Sequence, residues 1–396
     1  MRKMVVCLLL LCLSTPAMAA DNLKEMFANG TFKGEIQLLQ FTRHFDRTTT
    51  DRQDRALGGS FYYRTDSFKG INLGVAFAST NNLDSDDDKG TYGLLAAGHD
   101  SVTRLQEYYV QFHYFDTTVK VGAQEVYTPF LFPHPFRMMP RSFRGVSAVN
   151  QSFDNLKLMA FYLKSAVDWD DETFGDISKA INPQIDSEDV YIIGASYNVP
   201  VEGMKVNVQG WGFSMTDVFN QTYFSAAASK KMDNNMVLHG GAKFFTQNSQ
   251  GDERNGDLDT YQYGVNAGLA AFGFDLTAFY SKTGDDGIVD RWGYNKAIIQ
   301  QVWHTGILAD EDAYAAKLSY DFADVGAKGL SAYVFHTEYD THDSNLNDKA
   351  ETDLSVQYAF SGDYKGLGLR ARYAMINTKG GGEDFTDTRF YITYKF

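Results

Sequence analysis

The chain has 396 residues, 50 acidic against 36 basic, and a net charge of −14. That balance excludes nucleic-acid phosphates as the main partner, because they are bound by basic patches. Both cysteines, Cys7 and Cys12, fall at the very start, so disulfides and thiol chemistry are excluded from everything downstream.

In chain order, Arg2 and Lys3, an apolar run over 5–13 and the small-residue site Ala17-Met18-Ala19 read as a secretory signal peptide occupying residues 1–19. The run is too short to span a bilayer, and no later stretch approaches the ~20 apolar residues of a spanning helix. Leu11 stands before Cys12 where a lipoprotein signal has a small residue, which argues against lipidation. Residues 20–30 then form a short periplasmic segment, with a helix expected over 21–30 that sets Leu23, Met26 and Phe27 on one face.

From residue 31 to 396 the hydrophobic period is two. We count eighteen segments of about ten residues, running from 31–43 and 56–65 to 367–377 and 387–396, near the ~9–11 that a tilted strand needs to cross a bilayer. Connections alternate in length. Short ones lie at 66–70, 116–117, 154–155, 199–203, 232–235, 272–273, 323–329 and 361–366, and mostly long, polar or acidic ones lie between them, with 217–220 the exception. Short turns belong to the periplasmic end of an outer-membrane barrel, so both termini face the periplasm.

Each strand has two unlike faces. In 387–396, Phe390, Ile392, Tyr394 and Phe396 alternate with Arg389, Tyr391, Thr393 and Lys395. In 367–377, Leu369, Ala371, Tyr373 and Met375 oppose Arg370, Arg372 and Ala374; in 312–322, Tyr314, Leu318 and Tyr320 oppose Lys317, Ser319 and Asp321. Charge at the lipid midplane costs about 2–4 kcal/mol, so the apolar set faces lipid and the charged set a water-filled lumen. Aromatics beside the short turns, such as Tyr114, Phe115, Phe272, Phe274, Phe322 and Phe360, fit an interfacial girdle. The fold class is therefore all-β: a transmembrane antiparallel β-barrel of about 18 strands, one domain over 31–396, in the outer membrane of a Gram-negative bacterium. Lipid and lipopolysaccharide would surround it, and the terminal Phe396 would be presented to the barrel-assembly machinery.

Residues 127–145 break the pattern. YTPFLFPHPFRMMPRSFRG holds four of the seven prolines, which lack the amide proton a central strand needs. Left outside the barrel, Phe130, Leu131, Phe132, Phe136, Met138 and Met139 would be exposed apolar surface, so we place this loop inside the lumen as a constriction. The acidic groups at 84–88, 168–172, 285–290 and 310–312 are assigned to outer loops. The first lacks the glycine and spaced glutamate of an EF-hand, and His134 has no Cys or nearby His to make a metal site with it, so no metal or other cofactor is expected. His113, His239 and His336 fall within strands with no nucleophile motif nearby, and no enzymatic activity is expected.

At TVKVGAQEVYTPFLFPHPFRMMPRSFRGV (118–146), and at ETDLSVQYAF, KGLGLRARYA and DTRFYITYKF within 351–396, the chain resembles the OprD-type outer-membrane porins. The resemblance implies a substrate-selective passive channel for small hydrophilic solutes, often carboxylate-bearing, guided by lumenal basic residues. By position it implies roles for Arg137, Arg141 and Arg144 in the loop and for Arg370, Arg372 and Arg389 in the last strands; His134 lies in the same loop. Lys120 and Lys317 are added from alternation. One departure concerns the loop: Pro135 and Phe136 stand where an acidic residue is expected before the arginine, leaving its ion pairing without an internal partner. A non-selective diffusion porin and a sealed receptor or adhesin barrel are the other readings. Monomer and homotrimer are both compatible with the sequence.

Overall fold

A computed structural model describes residues 20–185, 187–233 and 235–396. The leader assigned to 1–19 lies outside the described residues. The helix expected over 21–30 is present as α1, Leu23–Ala28; Asn22 caps it by accepting from Glu25 N at 3.0 Å. Its buried Met26 and the Asp66 N to Met26 O bond (2.9 Å) tie it to the first short turn.

Among the described residues, eighteen strands make one closed antiparallel barrel. They are β1 (Thr31–Phe45), β2 (Arg52–Arg64), β3 (Ile71–Asn82), β4 (Val102–Tyr114), β5 (Thr117–Gln124), β6 (Ser142–Phe153), β7 (Leu156–Val167), β8 (Val190–Val199) and β9 (Met204–Met215). The second half is β10 (Phe219–Lys231), β11 (Val237–Ser249), β12 (Asp259–Ala271), β13 (Phe274–Thr283), β14 (Glu311–Asp321), β15 (Leu330–Thr341), β16 (Lys349–Ala359), β17 (Leu367–Thr378) and β18 (Phe385–Lys395). Every strand pairs with its chain neighbours, and β1 closes on β18 from Glu35 opposite Lys395 to Phe45 opposite Phe385. Closure leaves no edge whose amides would stand unpaired in lipid.

The short turns have the geometry their strands' twist demands. Phe115 and Asp116 both have positive φ (50° and 54°), as do Phe272 (53°) and Gly273 (83°), the mirror-image turns that match right-handed twist. Phenylalanine tolerates this conformation poorly, yet Phe115 and Phe272 are 91% and 82% exposed, as the aromatic girdle requires.

Outward residues such as Ile193, Val265, Leu276, Leu354 and Ile392 are exposed and apolar, while their inward neighbours are polar or covered. The covered ones are covered by loops. Leu39, Phe41, Ala56 and Ala78 of the inner wall bury against Tyr92, Leu94, Met138 and Met139; a second cluster joins Phe213, Tyr223 and Phe245 to Phe130, Leu131 and Trp292. Each such aromatic or aliphatic side chain contributes about 1.5–3 kcal/mol on burial. These clusters hold long loops against the inside of the barrel.

Candidate functional site

The inner faces of the last strands and the first form a basic wall. Register sets Arg372 opposite Arg389 and Arg370 opposite Tyr391, and across the closing seam sets Phe41 opposite Arg389 and Arg43 opposite Asp387. Asp387 serves two guanidiniums, Arg389 Nε at 2.8 Å and Arg43 Nη2 at 2.9 Å. Arg372 stands 3.8 Å from Asp353, and Arg370 Nε donates to Ser355 Oγ at 3.2 Å. Four arginines thus face three carboxylates, Asp353, Asp387 and the buried Glu351, and the wall keeps a positive excess. Tyr92 crosses it from loop 83–101, its hydroxyl accepting from Arg43 (2.8 Å) and Arg389 (3.0 Å). The Asp54 carboxylate sets that tyrosine by taking Tyr92 N at 2.9 Å and Leu94 N at 2.8 Å.

Facing the wall is the proline-rich segment, loop 125–141. Thr128 Oγ1 accepts from Leu131 N (2.9 Å) to start its fold, and Pro140 O accepts from Arg104 Nη2 (2.7 Å) and Gln106 Nε2 (2.6 Å) to end it against β4. Arg137 donates to Tyr92 O at 2.6 Å and lies 5.5 Å from the Phe41 ring, which brings it beside the wall. Burial, then the charge of Arg389, lowers its guanidinium to about 9, still charged at neutral pH. Arg141 stacks 3.9 Å from Trp169 and its Nε meets Asp168 Oδ1 at 2.7 Å. The acidic partner absent from the loop's own motif is therefore supplied by loop 168–189. His134 adopts φ 56°, packed between Phe136 and Trp169, and burial followed by the charges of Arg141 and Arg137 pushes its imidazole well below the ordinary value.

A second inward segment, loop 284–310, was not foreseen. It touches the first through Phe132 N to Trp292 O (2.9 Å), Tyr294 N to Pro129 O (3.3 Å) and stacked Phe132 and Tyr294 rings 4.7 Å apart. It then crosses to the basic wall, where Gln301 N donates to Asp353 (2.9 Å), Gln301 Nε2 to Asp387 (2.7 Å), and Val302 N and Trp303 N to Glu351 (2.9 and 2.7 Å). Arg291 reaches Asp168 Oδ2 at 3.1 Å, so one carboxylate joins three loops. The signal was in the chain: Trp292, Tyr294, Ile298, Ile299, Val302 and Trp303 are too apolar for a solvated outer loop.

The predicted site residues divide. Arg137, Arg370, Arg372 and Arg389 come together, joined by Arg43, which sequence reasoning missed although β1 alternation sets it on the inner face. Arg141 and His134 lie behind them, against Trp169. Lys120 and Lys317 face inward on β5 and β14, Lys120 over Tyr109 (4.4 Å) and Lys317 over Tyr333 (4.5 Å), apart from the cluster. Arg144 requires correction. The loop ends at Pro140–Arg141 and β6 begins at Ser142, so Arg144 is a strand residue on the face opposite Phe143 and Ser147, beside Phe174 and Ser165. The outer-loop assignment also fails for Asp168 and Asp290, which pair with Arg141 and Lys296 in buried contacts, and for Glu311 and Asp312, which begin β14.

The model of the outer membrane porin, OprD family, matches residues 60–396. The chain belongs to the OprD family. Solved structures with the same fold include OccK9 (OpdG) of Pseudomonas aeruginosa, 21% identical with TM-score 0.84, and OpdK of the same organism with vanillate, 18% identical with TM-score 0.84. In both, 94% of this chain and 99% of the other are covered. OccK2 (OpdF) of Pseudomonas aeruginosa, in complex with glucuronate, aligns over the same shares at 17% identity and TM-score 0.78. A search of curated proteins found no match. As an OprD-family porin, this protein is an outer-membrane channel for small solutes.

Proposed function

We propose that this OprD-family porin is selective for small anionic, carboxylate-bearing solutes, which pass between the basic wall and the two inward loops without cofactor or energy input. The carrying observation is the excess of Arg43, Arg370, Arg372 and Arg389 over Asp353, Asp387 and Glu351, with Arg137 added from loop 125–141. Residues two apart on β17 lie ~7 Å from each other along the wall, so an anion leaving one guanidinium is already within reach of the next. Loops 125–141 and 284–310 narrow the lumen and keep the solute at that wall. Vanillate and glucuronate, found with OpdK and OccK2, are both carboxylates, which supports the reading.

The test is the reversal potential of single channels in a salt gradient. Anion preference is expected, and the double variant Arg372→Gln, Arg389→Gln should lower the anion-to-cation permeability ratio by several-fold. Cation preference in the unaltered protein would mean that the acidic mouths control permeation and would overturn the proposal. Absence of conductance would favour a sealed receptor barrel instead.

A further inference from the structure

A cavity of about 250 Å³ lies where β9 and β10 meet loops 125–141 and 284–310. Its walls are aromatic: Tyr127 and Phe132 from one loop, Tyr294 from the other, Trp211 and Tyr223 from the barrel. Trp211 lies flat against the backbone of Gly194, where an added Cβ would meet the indole ring at 2.0 Å. Any side chain at 194 would lift that ring off the wall.

One polar group in the lining is left over. Asn295 lines the cavity, is 5% exposed, and its Oδ1 has no hydrogen-bond partner among the described residues. Its neighbours are already used: Gln209 Oε1 accepts from Trp211 Nε1 (3.1 Å), and Thr128 Oγ1 accepts from Leu131 N (2.9 Å). An unfilled buried carbonyl is costly and uncommon, so the occupant of this cavity carries a hydrogen-bond donor as well as an apolar face. The recess is open on one side, and its volume, below the ~300–1,000 Å³ of sites for drug-sized molecules, suits a single ring.

We propose that this cavity binds a single polyhydroxylated ring of the pyranose class, its C–H faces against the aromatic walls and one hydroxyl donating to Asn295 Oδ1. An aromatic ring without a hydroxyl supplies the faces but no donor, and an acyclic polyol supplies hydroxyls but no rigid face. The site makes no use of the arginine wall and requires no charge on the solute. It stands or falls apart from anion selectivity.

The experiment uses the full-length protein in a planar bilayer with neutral probes, glucose against the acyclic sorbitol at equal osmolality. Glucose is expected to reduce or chop the ion current at a concentration about tenfold lower than sorbitol, and Trp211→Leu or Asn295→Leu to raise its half-blocking concentration by about tenfold, the effect of losing one ligand contact. Folding of each variant is checked by the heat-dependent gel mobility of the intact barrel. Equal response to the two polyols would overturn the proposal and leave water as the partner of Asn295. So would folded variants that respond as the unaltered protein does. Reversal potentials from the same traces read the arginine wall independently.

Discussion

Asp168 and His134 set how firmly the first loop is held. With Asp168 buried between Arg141 and Arg291, Asp168→Asn leaves two guanidiniums short of a partner, a loss of about 3–5 kcal/mol for a buried pair. We expect the variant to show larger open-channel current noise and a raised anion preference, with Asp168→Glu restoring the quiet channel; an unchanged noise spectrum would show that Trp169 stacking alone holds the loop. For His134 the sign follows from its lowered value. The packed imidazole stays neutral where a released one would take a proton, so the packed loop loses stability as pH falls below the ordinary ~6.5 of a free histidine. Noise should rise between pH 6.5 and 5, and His134→Gln should abolish that rise. Arg144 shows the limit of motif reasoning at this scale: the strand begins four residues before the expected boundary, at Ser142, which turns a loop residue into one on the opposite face of the barrel wall from Phe143.

At the scale of elements, strand existence and turn placement were legible from alternation, and observed boundaries differ from expected ones by at most four residues. The turn expected at 116–117 lies one residue earlier, at 115–116, and that at 272–273 lies where expected, because two-residue connections between alternating runs admit little else. Loop 125–141 was legible because prolines and apolar residues together leave it nowhere but inside. Loop 284–310 carries the same apolar signal without the prolines, and its acidic start at Asp285 and Asp286 disguised it. Its hold on the wall is made in large part by backbone amides donating to Glu351 and Asp353, beside the Gln301 side chain on Asp387, and such amide contacts are announced by no side-chain pattern. Replacing 295–303 with a short Gly-Ser turn should raise single-channel conductance by about two-fold or more while preserving the folded gel mobility. Unchanged conductance would assign the narrowing to loop 125–141 alone.

For the molecule as a whole, the decisive asymmetry is between its two surfaces. Leu354 sits mid-strand on the outer face of β16, paired across to Val334 and Tyr373, while Ser355 beside it faces the arginines. Leu354→Arg should cost about 2–4 kcal/mol and lower the urea midpoint of the barrel in lipid vesicles, whereas Ser355→Arg should fold and shift selectivity. Equal loss from both would contradict the assignment of faces. The alternating pattern by itself determined the barrel, its strand number and which residues face lipid, because a membrane enforces period two on every strand and closure on the sheet. Only the tertiary structure decided which inward residues meet. Barrel closure brings Arg43 beside Arg389 across nearly the whole chain length, and three loops converge on Asp168, the one carrying Arg291 from over a hundred residues along the chain; such contacts depend on how loops pack inside the wall, which local periodicity does not encode.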